Sequence, residues 1–160
     1  MTELERRYGP AVADRRRTMF EQAGLPSAET LEKIPNSRHA LMLAELARDR
    51  GKLDALHPRL FEAYWARGLD LGDEQVLLDE ASTVGLDRGE VLEALHDPSY
   101  LERVEAQTSA AIEIGATGVP AWVIDQRVLV PGAQPHELFA QVLERLGHLP
   151  LDGEEPASEV

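Results

Sequence analysis

The chain has 160 residues, no cysteine, 43% hydrophobic and 28% charged residues, and a formal net charge of -13. Such acidity argues against nucleic acid and anionic membrane surfaces as partners, because both reward a positive field. The missing cysteine excludes a disulfide, a thiolate metal site or a cysteine nucleophile formed by these residues alone.

The length suits one domain, burying roughly 70% of the surface that its unfolded chain would expose. Few aromatics and much Ala, Leu and Glu favour helix. No apolar run approaches bilayer-spanning length and Met1 to Arg7 lacks a secretory apolar stretch, so a cytoplasmic protein is the expectation. The basic clusters Arg6-Arg7 and Arg15-Arg16-Arg17 read as a solvated helix face.

Helical punctuation governs the first three quarters. Thr2 to Tyr8 reads as a short helix stopped by Gly9, and Pro10 suits the first position of a second helix that runs to about Ala23 before Gly24. After a connector holding Pro26 and Pro35, Asn36-Ser37 offers an N-cap for a helix through Arg50, with Ala40, Leu43, Ala44 and Ala47 on one face and Gly51 as terminator. Leu53 to Arg67 carries Leu56, Leu60, Phe61, Tyr64 and Trp65 in one stripe, with Pro58 making the helix begin near His57 or bend there. Asp70 or Gly72 opens Asp73 to Val84, Asp87 caps a helix to about His96, and Ser99 or Asp97 caps the next, which ends at Gly115.

The period then changes. Ala121 to Asp125 and Arg127 to Val130 read as two short strands joined tightly at Asp125-Gln126, a pair that lacks the glycine a hairpin turn prefers. Pro135 starts a final helix whose expected buried face is Leu138, Phe139, Val142, Leu143 and Leu146, and residues 150–160 read as a disordered acidic tail. An isolated hairpin is marginal in water, so this sheet requires something further to pair or pack with. Between helix and strand lies Gly118-Val119-Pro120-Ala121-Trp122. Proline is tolerated at a strand's first residue and makes a cis bond affordable in a tight turn, leaving the Val119 backbone free for an extended ligand.

Gly118-Val119-Pro120, followed at the proper distance by Val130-Pro131-Gly132-Ala133-Gln134-Pro135, resembles the C-terminal half of the DsbA-like thioredoxin-fold family, especially its FrnE-like branch. The resemblance extends over Leu4-Glu5-Arg6-Arg7-Tyr8-Gly9, Pro35-Asn36-Ser37, Leu60 to Tyr64 and Val84 to Asp87. It implies an α/β, mostly α, incomplete thioredoxin-like fold: a helical insertion domain over 1–115, a cis-Pro β-hairpin with its C-terminal helix over 116–149, and the tail. It also implies a thiol–disulfide oxidoreductase lineage, present as an N-terminally truncated chain without its Cys-x-x-Cys unit. Gly118, Val119, Pro120 and Trp122 become the expected substrate-binding residues. In that chemistry a thiolate attacks a disulfide while the proline loop aligns the substrate as an added strand. Relatives commonly carry a small polar residue where Pro131 stands, which puts the local rim in question.

No catalytic, cofactor-binding or metal-binding residue is expected. Histidines 39, 57, 96, 136 and 148 lack metal-ligand spacing, and Gly115-Ala116-Thr117-Gly118 lacks the lysine of a phosphate loop. The expected partners are an extended peptide or disulfide substrate at the proline loop, and a homodimer or other strand-supplying partner for the sheet. Two rival readings stand beside the oxidoreductase lineage: a non-catalytic protein that holds peptides or a partner strand, and a fragment similar to glutathione-dependent 2-hydroxychromene-2-carboxylate isomerases.

Overall fold

The computed structural model describes residues 9–28, 31 and 33–149; the expected helix at Thr2 to Tyr8 and the tail at 150–160 lie outside them. Among the described residues seven helices and two strands follow in the order α1 (Pro10–Gln22), α2 (Arg38–Asp49), α3 (Leu53–Trp65), α4 (Glu74–Thr83), α5 (Arg88–His96), α6 (Pro98–Glu113), β1 (Ala121–Ile124), β2 (Val128–Pro131) and α7 (His136–Leu146). The chain divides into two compact units, one ending at Ala106 and the other beginning at Gln107, inside α6.

Short polar side chains start the helices. Asp73 accepts from the Gln75 N–H at 2.8 Å and Asp87 from the Glu90 N–H at 3.0 Å, each satisfying a donor that the first helical turn leaves unpaired. At α2 the cap is displaced by one residue: the Ser37 side chain makes no capping bond, and Asn36 Oδ1 accepts from the Arg38 N–H at 3.1 Å. Gly51, with a φ of 63°, ends α2 in the left-handed conformation that a side chain disfavours. Pro58 neither starts nor ends α3, which runs from Leu53 through it. The bond lost is the one to the Asp54 carbonyl, and burial of Leu56, Leu60 and Ala63 on the same helix offsets it.

The first unit has a leucine-rich core. Leu43, Leu46, Leu56, Leu77, Val91 and Leu95, from α2, α3, α4 and α5, are each at most 2% exposed and belong to one cluster. Phe61 is exposed, whereas Tyr64 and Trp65 pack with Ala28 and Ile34 around Leu31 in a smaller cluster. A fully buried leucine contributes roughly 1.5–3 kcal/mol through removal of apolar surface from water.

Two buried carboxylates tie the outer helical surfaces to this core. Glu80 receives Arg59 Nε at 3.1 Å and Arg67 Nη2 at 2.6 Å, and Glu45 receives Arg48 Nε at 3.3 Å and Arg103 Nη2 at 2.8 Å. Burying a charge is tolerable only with such partners. Arg103 also forks onto Asp49 through Nη1 at 2.6 Å and Nη2 at 3.0 Å, joining α6 to α2. The Arg103 hydrogen bonds hold the Asp49 carboxyl below its ordinary 3.8, assisted by the arginine's charge and outweighing desolvation.

Leu43→Ala is expected to lower unfolding free energy by about 2–5 kcal/mol in urea titrations, since the surrounding helices cannot close the cavity. Asp49, followed by carboxyl NMR, is expected to titrate below 3.8, and Arg103→Met to return it toward that value. Because the folded pKa is the depressed one, the stabilisation is complete above the unfolded pKa and disappears as pH falls through the folded value.

Candidate functional site

The second unit is built differently. Its hairpin pairs Ala121 with Pro131, Trp122 with Val130, Val123 with Leu129 and Ile124 with Val128, antiparallel. Asp125 and Gln126 have φ of 52° and 55°, the left-handed values that a type I′ turn requires, and Arg127 N–H closes the turn onto the Ile124 carbonyl at 3.0 Å. The turn therefore forms without glycine, and Arg127 is one residue more than the tightest hairpin would use. His148 Nε2 stands 2.7 Å from Asp125 Oδ2 and anchors the turn to the segment after α7.

Gly118, Val119, Pro120 and Trp122 are placed as follows. The Val119–Pro120 peptide is cis. A Cβ on Gly118 would meet nothing within 4 Å, and Val119 is 96% exposed. Among the described residues, neither the N–H nor the C=O of Val119 has a partner. The Pro120 carbonyl accepts from the Gly132 N–H at 2.8 Å, which fixes the ladder's phase. In an antiparallel pair, inward and outward backbone groups alternate. Trp122 and Ile124 consequently point their N–H and C=O groups at β2, while Ala121 and Val123 point theirs away from it.

The same alternation explains how Pro131 is accommodated. It opposes Ala121 at a position where neither residue bonds across the pair, so the missing N–H lies on the outer margin of β2 and costs no ladder bond. Its carbonyl is taken by Gln134 Nε2 at 2.7 Å. The outer margin of β2 is thus blunted at Pro131, whereas, among the described residues, the outer margin of β1 is open at Ala121 and Val123.

Trp122 is 50% exposed, and its ring meets Phe139 of α7 edge-on, with centroids 5.4 Å apart and planes at 76°. The expected buried face of α7 is covered only in part. Phe139, Val142 and Leu146 are half-buried, Leu138 and Leu143 remain 38% and 39% exposed, and no residue of the helix is buried. Two strands offer too little surface to cover the stripe. Among the described residues of this unit Val130 is the buried hydrophobic one, at 4% exposure.

Sequence reasoning missed Val123, 50% exposed on the opposite face of β1 from Trp122. Alternation with Trp122 pointed to it, but a run of four apolar strand residues reads as buried on both faces. Among the described residues no helix is long and apolar enough to cross a membrane, and no group of His, Asp and Glu could hold a metal.

Residues 12–144 match the family model described as DSBA-like thioredoxin domain. The chain belongs to that family. It is 29% identical to the probable DsbA oxidoreductase SCO1869 from Streptomyces coelicolor, whose crystal structure superposes with a TM-score of 0.79 over 98% of this chain and 69% of that one. It is also 29% identical over 98 residues to the uncharacterized protein YwbO of Bacillus subtilis (strain 168), a match covering 61% of this chain and 48% of that protein. The chain therefore spans about half the length of this curated relative. The mostly helical architecture with a small sheet is that of a DsbA-like thioredoxin fold.

With Trp65→Phe leaving Trp122 as the indole, acrylamide is expected to quench fluorescence more steeply than with Trp122→Phe, because Trp65 packs in the smaller cluster and Trp122 is half exposed. Equal quenching would contradict this placement.

Proposed function

We propose that these 160 residues carry the substrate-aligning half of a cytoplasmic, FrnE-like thiol–disulfide oxidoreductase, working with a thiol contributed from outside this sequence. The carrying observation is the exposed Val119, whose backbone donor and acceptor are open beside the free margin of β1. An extended peptide laid there gains main-chain hydrogen bonds, and Gly118 keeps the approach clear of side chains. The attacking thiolate would form a mixed disulfide with one substrate sulfur, and the other sulfur would leave as a thiolate and take up a proton. Membership of the DSBA-like family supports this lineage, and the length relation to YwbO supports a larger functional whole.

The absence of cysteine favours a second reading, in which the same surface holds a peptide without chemistry. Both share the binding step and differ in whether a thiol partner produces turnover.

The purified chain is expected to show no insulin reduction above the uncatalysed rate; turnover would overturn the division of labour. Reduced, alkylated and unstructured polypeptide is expected to shift amide NMR resonances of Gly118, Val119 and Ala121. Val119→Pro, which deletes the donor, is expected to weaken that binding by about fivefold to tenfold, the effect of one net hydrogen bond of about 1 kcal/mol. Unchanged affinity in a folded variant would remove Val119 from the site.

A further inference from the structure

We infer that Gln134 is a positioning residue for the proline loop. Its side-chain amide holds the peptide group whose own N–H sets the direction of the Pro120 carbonyl, and with it the backbone that meets substrate. The inference rests on the reading above that Val119 receives an extended polypeptide, and it adds what keeps Val119 ready to do so.

Two hydrogen bonds share one peptide unit. Gln134 Nε2 donates to the Pro131 carbonyl at 2.7 Å, and the Gly132 N–H donates to the Pro120 carbonyl at 2.8 Å. The Pro131 carbonyl and the Gly132 N–H lie on opposite edges of the same planar group, so a donor that fixes one edge fixes where the other points. It also polarises the amide, which strengthens the bond that the N–H gives to Pro120.

The consequence falls on Pro120. Its ring locks φ and the Gly132 bond to its carbonyl sets ψ, so both soft dihedrals of that residue are held. Val119, which precedes a proline, is itself restricted toward extended backbone. Its N–H and C=O are therefore offered in a preset direction, and binding need not first order them.

The neighbours of Gln134 suit it to this task. Pro135, the N-cap of α7 with φ of -59° and ψ of 150°, disfavours helical backbone at the preceding residue, so Gln134 stands just outside the helix and its side chain reaches back three residues. Gly132, at a φ of 76°, makes the left-handed corner between the two bonds, and a Cβ there would stand 3.7 Å from Gln134 Nε2. Pro131 gives the contact its importance: without an N–H, it can be held at this corner only through its carbonyl. α7 is also tied to the hairpin by Phe139 against Trp122, so the bridge from Gln134 passes the position of an anchored helix to the loop.

The test uses the full 160-residue chain. Gln134→Met keeps the length of the side chain and removes the donor, whereas Gln134→Lys restores N–H donors on an unbranched stem. In the free chain, Gln134→Met is expected to speed exchange of the Gly132 amide hydrogen by about threefold to tenfold, with the helical CD spectrum unchanged. The amide order parameter of Val119 is expected to fall at the same time. Reduced, alkylated and unstructured polypeptide is expected to bind this variant about threefold to tenfold more weakly, with the loss in the association rate, because fewer loops are competent at any instant. Gln134→Lys is expected to return both exchange and affinity toward the native values.

Native exchange at Gly132 in a folded Gln134→Met chain would overturn the inference. Equal defects in Gln134→Met and Gln134→Lys would also overturn it, by assigning the side chain to packing alone. Faster exchange with unchanged affinity would do the same, since the order of the loop would then have no bearing on binding. If the native chain binds no polypeptide, the proposed function fails, and the exchange and order-parameter measurements still decide whether Gln134 orders the loop.

Discussion

A β-ribbon of two strands has two outer margins, and the backbone groups on both require partners or water. This constraint governs the second unit. Its hairpin is fixed internally by four register pairs, a turn with two left-handed residues and the Asp125–His148 contact. What it lacks is breadth. With Val130 the one strongly buried hydrophobic side chain among its described residues, it holds its shape by local hydrogen bonding more than by a core. The exposed apolar groups of β1 and α7 follow from that geometry.

The first unit has the opposite economy. Leucines from four helices meet in one cluster, and the two charged groups that reach into it, Glu45 and Glu80, are each held by two arginines. These pairs restrict the helices more than they stabilise them, because the desolvation of buried ions consumes most of the Coulombic gain. Arg103 differs in serving two carboxylates at once, so that Asp49 on the solvent side adds its attraction without burial.

Much of this organisation was legible in the residues because the signals were local. Asp73, Asp87 and Gly51 mark helix ends by chemistry that operates within a few residues. Gly118-Val119-Pro120 and the Gly132 that bonds back to Pro120 are likewise near neighbours in the chain. The cap by Asn36 was within the Asn36-Ser37 pair that the sequence offers, whereas the continuous helix through Pro58 and the glycine-free turn at Gln126 were less legible, since tertiary packing can override each local preference. Exposure was hardest of all. Trp122, Val123, Leu138 and Leu143 have core-like patterns, and sequence periodicity specifies which face should be covered without specifying what covers it.

The placement of Pro131 bears on how far strand addition to this ribbon can extend. A ribbon with two equivalent margins could add copies on both sides, giving an unlimited cross-strand stack. Here the outer margin of β2 offers neither donor nor acceptor at its Pro131 end, because the imino nitrogen has no hydrogen and Gln134 occupies the carbonyl. The proline end of β2 therefore resists an added strand, which disfavours open-ended growth of the ribbon on that side.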